Sequence, residues 1–485
     1  MTDAAMAPIL GRPAHEQLAA MTGGEITAEA LMQATLAHVD RVNGRVNAIV
    51  AQVDRDTLMA QACAADATRA AGGPLGPLHG LPMAVKDLAD VAGLPTSMGS
   101  PLFAGQVAAE DELFVARLRA AGAIFIGKTN TPEFGLGSHT FNPVHGATLN
   151  PWAPGRTAGG SSGGAAVALA TRMLALADGS DMMGSLRNPA GWNNVYGFRP
   201  SWGRVPARPE GETFLHFLST NGPMARCPRD LALLLEVMAG PDPARPFCLP
   251  AEPFVDPLVA DLRGRRIGWL GDWGGAWPVE AGILPLCEGA LARFADLGVT
   301  VEPVAPPFPA ADLWHAWTTL RAFANAARLG PLHADPDRRA HLKATAIWEV
   351  TQGQGLSVAE VEAASLIRSR WYAAAAALFD RYDAVALPTA QVWPFDVAQE
   401  YPRAIAGREM DTYHRWMEVV VPASLIGLPA LAVPAGFGDA GLPMGLQLIG
   451  RHGNDLGLLQ LAEGWHTLTG GGEDRLPPAL QDLTN

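Results

Sequence analysis

Two serines and one lysine stand out as residues that could carry out nucleophilic chemistry. Ser161 and Ser185 each lie in a glycine-rich turn, and 24 positions separate them. The chain of 485 residues holds only three lysines among its 35 lysines and arginines, and Lys86 lies in the apolar run LPMAVKD. An amine can lose its proton near neutral pH, whereas a guanidinium cannot. Together these residues are the parts of a Ser–Ser–Lys hydrolase.

Lys86 is the candidate base of such a site. A serine hydroxyl is a weak nucleophile and needs a base within hydrogen-bond reach. Burial disfavours a charged ammonium, so an apolar site lowers the pKa of a lysine and can turn it into that base. Taken singly, the residues also have structural interpretations: Lys86 could pair with Asp87, and Ser161 or Ser162 could cap a helix that begins near Gly163. The residues alone leave both interpretations open.

The segments around these residues resemble the amidase signature family. The stretch GGSSGG at 159–164, followed by an apolar helix and by DMMGSLR at 181–187, is similar to the family's signature. The occurrence of these segments in this order favours the interpretation of Lys86, Ser161 and Ser185 as catalytic residues over their structural interpretation. Further blocks occur in family order and span most of residues 25–465: GPLHGLPMAVKD at 76–87, GAIFIGKTNTPEFGLG at 122–137, GPMARCPRDLALLLEVMAG at 222–240 and GLPALAVPAGF at 427–437.

The resemblance implies a role for each of the three residues. Lys86 matches the catalytic lysine, Ser161 matches the bridging serine on a cis peptide bond, and Ser185 matches the nucleophile that becomes acylated. Ser162 adjoins the bridging serine and is expected to support it. Lys128 lies in another family block, GKTN, and is expected to be structural.

The family's oxyanion-hole loop matches the backbone N–H groups of Met182, Met183, Gly184 and Ser185. The family usually has glycine where this chain has Met183. Glycine is common where the backbone approaches a ligand closely or adopts a positive φ. Met183 therefore either adopts ordinary dihedral angles or lines the acyl pocket, and we expect it to line the pocket.

The residues that flank this loop are expected to shape it. Asp181 and Arg187 are predicted to form a structural ion pair. After Arg187 the chain continues with Asn188 and Pro189, and it lacks the glutamine that the tRNA-dependent amidotransferases usually carry there. This departure makes that branch of the family the less favoured one.

Two other motifs fail the test of their structural context. Residues 122–129 fit the P-loop pattern, but the middle of the motif is predicted to be a strand, and Pro132 follows it closely. Residues 159–163 fit the G-x-S-x-G pattern of a nucleophile elbow, but a turn-rich segment precedes them where a strand is required. Nucleotide binding and a Ser-His-Asp triad are therefore disfavoured.

The predicted fold class is α/β, with a large mixed β-sheet core covered by helices, as the resemblance implies. Residues 1–485 are predicted to form a single domain, in which 241–382 form a helix-rich subdomain or lid over the site. Thr27 is expected to cap a helix that runs to about Val42. The apolar stretch from Ala165 to Ala177 is expected to be a buried helix.

Short apolar runs bounded by turn residues predict buried strands. The uncharged stretch 419–437 contains three prolines and two glycines, so buried strands and turns fit it better than a membrane-spanning helix. The predicted strands lie at 83–85, 123–126, 267–270, 384–387 and 431–433.

Composition limits the partners of the protein. A net charge of −13 disfavours nucleic acid and anionic membranes as partners. The four cysteines lie far apart without a C-x-x-C pair, which indicates reduced thiols in a cytoplasmic protein. The twelve histidines show no metal-ligand spacing, so no metal is expected, and the resemblance implies no cofactor.

The sequence thus predicts a serine amidohydrolase that acts on a small molecule, as a monomer or a homodimer. The expected substrate is a moderately apolar amide with an aryl or alkyl group, or a carbamate or ester, cleaved through an acyl-enzyme on Ser185. Two alternatives remain: a glutaminase-type component of a tRNA-dependent amidotransferase, and a non-catalytic binding protein on the same fold. Glutaminase activity and co-purification with a second protein would identify the first, and the intact Lys86, Ser161 and Ser185 argue against the second.

Overall fold

A computed structural model describes residues 8–207, 212–472 and 475–481. In these ranges eight strands form one large sheet, three form a smaller sheet, and six form three two-stranded ribbons. In chain order the strands are β1 (Ile49–Val50), β2 (Pro82–Lys86), β3 (Ile124–Thr129), β4 (Phe141–Asn142), β5 (Gly146–Ala147), β6 (Leu149–Asn150), β7 (Ala153–Thr157), β8 (Leu176–Asp181), β9 (Tyr196–Arg199), β10 (Thr220–Ala225), β11 (Arg266–Trp269), β12 (Thr300–Pro303), β13 (Ala384–Pro388), β14 (Ala404–Ile405), β15 (Arg408–Glu409), β16 (Ala430–Phe437) and β17 (Pro443–Ile449).

The large sheet is mixed, with the strand order β12-β11-β13-β17-β16-β9-β10-β8. The pairs β12–β11 and β11–β13 are parallel, and the other neighbouring pairs are antiparallel. Every residue of the central strands β13 and β17 is buried. Burial on both faces explains why such strands are continuous apolar runs in the sequence. The predicted α/β class with a large mixed sheet is confirmed.

The smaller sheet positions Lys86 beside the large one. Its order is β1-β3-β2, with β3 antiparallel to β1 and parallel to β2. The backbone N–H of Lys86, at the end of β2, donates a hydrogen bond of 3.1 Å to Oδ1 of Asp178 in the edge strand β8. The contact between the two sheets therefore brings Lys86 next to the turn that carries Ser185.

Helices cover the sheets. The α-helices include Ala14–Thr22, Ala28–Val46, Arg55–Ala70, Leu113–Ala120, Gly163–Ala170, Arg187–Asn193, Pro228–Met238, Ile283–Ala292, Ala310–Ala334, Pro336–Arg339, Ala344–Gln354, Val358–Leu378, Val421–Leu425, Asp455–Thr469 and Pro478–Gln481, and the 3₁₀ helices include Glu133–Gly135, Arg293–Leu297, Arg415–Val420 and Gly470–Gly472.

Thr27 caps its helix as predicted. Its Oγ1 accepts a hydrogen bond of 3.0 Å from the N–H of Ala30, and the helix begins at Ala28. The helix continues past the predicted end and stops at Val46, where the next residue, Asn47, adopts a left-handed conformation with a φ of 52°. Asparagine tolerates this conformation and commonly ends a helix in this way.

The predicted helix from Ala165 to Ala177 is wrong in its second half. The helix covers Gly163–Ala170, and strand β8 begins at Leu176. Arg172 has a φ of 59°, a left-handed conformation that ends the helix. A stretch that is apolar on every side has no periodicity, so its sequence does not distinguish one helix from a short helix followed by a buried strand.

The first part of 419–437 is also helical, where strands and turns were expected. It comprises the end of a 3₁₀ helix and the helix Val421–Leu425, and only then does β16 begin, at Ala430. Pro422 lies in the first turn of that helix, where a missing N–H costs no hydrogen bond. In the described ranges, no helix is both long enough and apolar enough to span a membrane.

The region 241–382 combines helices with part of the large sheet. Its strands β11 and β12 form one edge of that sheet. Its longest helix, Ala310–Ala334, contributes Arg321 and Arg328 to the wall of a cavity that also holds Lys86. The assignment of this region as a subdomain or lid stays a prediction.

Candidate active site

Lys86 lies at the centre of a cluster of hydroxyl groups. Its Nζ lies 2.7 Å from Oγ of Ser161, 2.8 Å from Oγ of Ser162 and 3.1 Å from Oγ of Ser180. The backbone carbonyl of Ser180 is 3.3 Å away. Only 1% of the lysine surface is exposed. The structure therefore surrounds one buried amine with three serine side chains.

Burial lowers the pKa of Lys86 from 10.5 to about 7, because desolvation penalises the ammonium form. The negative charges of Asp178 and Asp181 act in the opposite direction. Burial also raises the pKa of Asp178 to about 6, against the opposing effects of the Lys86 N–H and of the nearby lysine charges. A large share of Lys86 is therefore unprotonated at neutral pH, as a general base requires.

The ion pair between Lys86 and Asp87 is absent from the described residues. The Asp87 carboxylate accepts a hydrogen bond of 3.1 Å from the N–H of Ser97 and lies 3.8 Å from Nζ of Lys128. Lys128 itself donates to the carbonyl of Ala89 and, at 3.1 Å, to a threonine hydroxyl. Lys128 thus stabilises the loop that follows β2, as expected for a structural lysine.

Ser161 and Ser162 direct their hydroxyls to Lys86 and not to the following helix. Ser162 is the residue before the helix Gly163–Ala170, but its side chain accepts no capping hydrogen bond. The interpretation as a helix cap is therefore wrong for this residue. The peptide bond between Gly160 and Ser161 is cis, as the family resemblance implied.

Ser185 lies in the turn between β8 and the helix Arg187–Asn193. Its carbonyl accepts a hydrogen bond of 3.2 Å from the N–H of Ser162, which joins this turn to the serine pair. The Ser185 side chain lines the same cavity as Lys86 and Ser161. The structure therefore brings the three residues singled out in the sequence to one cavity from three separate segments.

Asp181 holds the Ser185 turn through buried ion pairs. Arg187 donates from Nε to Oδ2 and from Nη2 to Oδ1, each at 3.0 Å, and both residues are fully buried. Arg199, absent from the sequence prediction, donates to the Asp181 carbonyl and lies 3.4 Å from Oδ1. Burial alone would raise the pKa of Asp181, but the two arginine charges hold it below its usual value. The predicted Asp181–Arg187 pair is present, in a supporting position.

Asp181→Asn should destabilise the protein by about 3–5 kcal/mol, because it leaves two buried guanidiniums without their carboxylate. Urea unfolding followed by tryptophan fluorescence measures this loss. The control is Asp261→Asn, which breaks an exposed pair with Arg263 and should leave the unfolding midpoint unchanged. Equal midpoints for the two variants would show that the Asp181 pairs do not stabilise the fold.

Gly184 shapes the turn and does not offer a free N–H. Its N–H donates a hydrogen bond of 2.8 Å to Oδ1 of Asp181, and the N–H of Leu186 donates to Oδ2 at 3.2 Å. Its φ is 79°, a left-handed conformation that favours glycine. A Cβ at this position would lie 2.9 Å from Val420. Gly184 therefore does not fit the expected role of an oxyanion donor.

The two methionines of the turn differ in their surroundings. Met182 lines the cavity, and its Sδ lies 3.1 Å from Nη1 of Arg321. Met183 is only 3% exposed, and its Sδ accepts a hydrogen bond of 3.2 Å from Nε1 of Trp317. Met183 also has no positive φ, so its backbone adopts ordinary dihedral angles. The expectation that Met183 lines the pocket is wrong, and Met182 takes that position.

Met182→Ala and Met183→Ala should therefore have different effects. Met183→Ala should lower the free energy of unfolding by about 2–5 kcal/mol, because it leaves a cavity in the core, and should lower kcat similarly for all substrates. Met182→Ala should change the ratio of kcat/KM between short and long acyl chains, by about tenfold or more per methylene. Kinetics on a series of acyl anilides, with urea unfolding of both variants, measures the two effects. A constant ratio in Met182→Ala would contradict its position in the pocket.

Arg321 is a cavity residue that the sequence did not reveal. It is 3% exposed, donates from Nε to Oε1 of Glu349 at 2.6 Å, and donates from Nη2 to the hydroxyl of Tyr413 at 2.8 Å. Its charge is thus paired inside the wall. Arg321 follows Trp314 by seven positions and Trp317 by four, which places all three on one helix face. This spacing was the signal in the sequence that could have identified Arg321.

Asp178 and Ser180 were also missed. Both lie in β8, where they alternate with glycine and with Asp181. Polar residues two positions apart in a buried strand share one face, which was a signal for a polar site. The erroneous helix prediction for this segment concealed it.

The chain matches known proteins over most of its length. The family model described as Amidase matches residues 30–459. Acylamidase from Rhodococcus erythropolis is 34% identical over 455 residues, which covers 93% of this chain and 94% of that protein. A glutamyl-tRNA(Gln) amidotransferase component from Chloroflexus aurantiacus is 33% identical over 480 residues, which covers 93% of this chain and 95% of that protein.

The fold is likewise shared with a solved structure. A bacterial aryl acylamidase of the amidase signature enzymes superposes with a TM-score of 0.90 at 29% identity, covering 96% of this chain and 99% of that one. The family match, the sequence identity and the structural match all extend well beyond the serine-rich turns. The chain therefore belongs to the amidase signature family, and it is an amidase that acts on C–N bonds.

Proposed function

We propose that this amidase cleaves its substrate through an acyl-enzyme on Ser185, with Ser161 and Lys86 as the proton relay. The observation that carries the proposal is the buried Lys86 amine, which lies 2.7 Å from Oγ of Ser161 in a cavity that Ser185 also lines. A pKa of about 7 makes this amine a base at the pH where a cytoplasmic enzyme works.

The reaction follows from this arrangement. Neutral Lys86 accepts the hydroxyl proton of Ser161, while the Ser161 oxygen accepts the proton of Ser185. The Ser185 oxygen then bonds to the substrate carbonyl carbon. The proton returns through the relay to the leaving nitrogen as the C–N bond breaks. Water takes the place of Ser185 in a second cycle, releases the carboxylic acid and restores the serine.

The developing oxyanion would be stabilised by backbone N–H groups of the Ser185 turn. Gly184 already donates to Asp181. We therefore assign this role to the amides of Met182, Met183 and Ser185. An oxyanion donor typically contributes about 3–4 kcal/mol to the stability of the transition state. Ser162 and Ser180 orient the amine of Lys86, and Asp181 and Arg187 hold the turn in place.

The proposed substrate is a moderately apolar aryl or alkyl amide, with carbamates and esters as further candidates. Leu88, Phe134, Leu136 and Met182 supply apolar surface to the cavity. Two relatives are named for the cleavage of acyl amides, the acylamidase from Rhodococcus erythropolis and the bacterial aryl acylamidase. These names support the substrate class and do not specify the acyl group.

A glutaminase-type function is the second candidate, because the Chloroflexus aurantiacus relative is part of an amidotransferase. The missing glutamine after Arg187 disfavours it. Rates of hydrolysis for a panel of anilides, alkyl amides, carbamates, esters and glutamine distinguish the two candidates. Turnover of glutamine alone, with co-purification of a second protein, would overturn the acylamidase proposal.

We also propose that the enzyme works in the cytoplasm as a monomer or a homodimer. In the part of the chain that the structure describes, the four cysteines form no disulfide bond, and Cys227 and Cys287 are buried. Free thiols suit a reducing compartment. Size-exclusion chromatography with light scattering measures the oligomeric state, and a larger assembly would contradict the proposal.

A further inference from the structure

Arg328 presents an accessible guanidinium to the catalytic cavity. It follows Arg321 by two turns in the helix Ala310–Ala334 and therefore lies on the same helix face. Its side chain lines both the cavity that contains Ser185 and the cavity that adjoins it. The residue is exposed, and it lines the cavity. Desolvation, together with the charge of Arg321, lowers its pKa to about 10, so it stays charged at neutral pH.

The guanidinium of Arg328 is only partly used by the protein. Its Nη2 donates to the carbonyl of Phe134 at 3.1 Å and lies 3.5 Å from Oδ1 of Asn325. Among the residues that the structure describes, Nε and Nη1 donate to no acceptor, and no carboxylate forms an ion pair with Arg328. An arginine carries five N–H donors in a planar fork, so most of this fork is open to the cavity.

Among the described residues, no carboxylate near Arg328 forms an ion pair with it. Glu349 already forms an ion pair of 2.6 Å with Arg321. Glu112, Asp178 and Glu212 line the two cavities, and none of them forms an ion pair with Arg328. In a chain with a net charge of −13, an arginine that lines the catalytic cavity without an ion pair to a described residue is a local feature of the site. Such a group suits an anionic ligand.

We propose that Arg328 binds a carboxylate of the substrate, so that the preferred substrate is an otherwise apolar amide that carries an anionic group near the scissile bond. The inference rests on the proposed function, since it concerns the same cavity. A carboxylate matches the guanidinium fork because its two oxygens accept two parallel N–H groups. The apolar wall would hold the rest of the substrate.

Two pairs of anilides of nearly equal shape test this inference. Succinanilic acid and 4-methylpentananilide differ in a carboxylate on the acyl side, and 4-acetamidobenzoate and 4-isopropylacetanilide differ in one on the amine side. The wild type should prefer the acid in one pair by about 10- to 100-fold in kcat/KM, measured as release of the corresponding arylamine. Arg328→Gln should remove this preference and keep the rate on the neutral compounds within a few-fold.

Arg370→Gln is the matched control, since it removes the same charge from an exposed position of another helix. It should keep the preference. Labelling of Ser185 by a neutral fluorophosphonate gives the same comparison without turnover. The acids should protect Ser185 from the label, and their neutral partners should not. Equal rates and equal protection in the wild type, or a preference that survives in Arg328→Gln, overturn the inference and leave the amidase activity standing. Absence of both turnover and Ser185 labelling in the wild type would instead refute the role of Ser185.

Discussion

Ser185→Ala should abolish amide hydrolysis and all covalent labelling by fluorophosphonates or sulfonyl fluorides. The Ser185 oxygen is the atom that bonds to the acyl group, so its removal should lower kcat by about 10⁴-fold or more. The fold should persist, because the change removes a single hydroxyl from the turn. Mass spectrometry of the labelled protein and circular dichroism measure the two outcomes.

Two further serine variants serve as controls for this experiment. Ser161→Ala interrupts the relay but keeps the oxyanion donors, so Ser185 should still react with the label, although slowly. Ser219 also lines the cavity, and Ser219→Ala should still be labelled at Ser185. A label on another serine, or turnover by Ser185→Ala, would contradict the assignment of the nucleophile.

The pH profile of the enzyme should report the ionisation of Lys86. The amine is active when unprotonated, so kcat/KM should rise with pH through an apparent pKa near 7 and reach a plateau on the alkaline side. Asp178, whose pKa is raised to about 6, adds a negative charge in the lower part of this range and keeps the Lys86 pKa from falling further. Stopped assays from pH 5 to 10 measure the profile.

Lys86→Arg and Lys86→Met should lose most activity at every pH. The arginine keeps a positive charge but cannot act as a base, and the methionine has no proton acceptor for Ser161. No histidine lines the catalytic cavity within the part of the chain that the structure describes. A profile with a pKa near 6.5 that survives in these variants would assign the base to a histidine and refute the relay.

Lys86 should also make the stability of the protein depend on pH. Its pKa is about 7 in the folded state and 10.5 in the unfolded state, so the unfolded chain binds the extra proton between these values. The free energy of unfolding should therefore rise with pH across this window, by up to about 5 kcal/mol, and the burial cost is present in full below pH 7. Lys86→Met should show a smaller rise, because the buried Lys128 and Lys343, whose pKa values are also lowered, still contribute to it, as urea unfolding at pH 6.5 and 9.5 would show. An identical rise in both proteins would contradict the buried amine.

The local structure could be predicted where it depends on neighbouring residues. The cap at Thr27 needs only a hydroxyl oxygen that accepts a hydrogen bond from the N–H three positions later, and the structure has this hydrogen bond. The five predicted strands are apolar runs bounded by turns, and they lie within a few residues of β2, β3, β11, β13 and β16. Other strands of the sheets, among them β8, β10 and β17, were not predicted. The segment after Gly163 failed, because a uniformly apolar stretch does not reveal where a left-handed residue such as Arg172 ends the helix.

The details of the site could not be predicted to the same extent. From the sequence, Met183 was expected in the pocket because it replaces a glycine, whereas Met182 lines the cavity and Met183 contacts Trp317. Which methionine faces the cavity depends on the helix Ala310–Ala334, which contacts this turn although it lies more than a hundred positions later in the sequence. For the same reason Arg321 escaped the sequence analysis.

By itself, the sequence determined the chemistry that the chain can perform, because Lys86, Ser161 and Ser185 supply the functional groups and the segments around them resemble the amidase signature family. Only the tertiary structure decided that Lys86 contacts Ser161, Ser162 and Ser180, which lie between 75 and 94 positions from it. These contacts arise when the edge strand β2 lies against β8, and the same packing removes water from the amine. Sequence spacing carries no information on that desolvation, although it is the cause of the lowered pKa of Lys86.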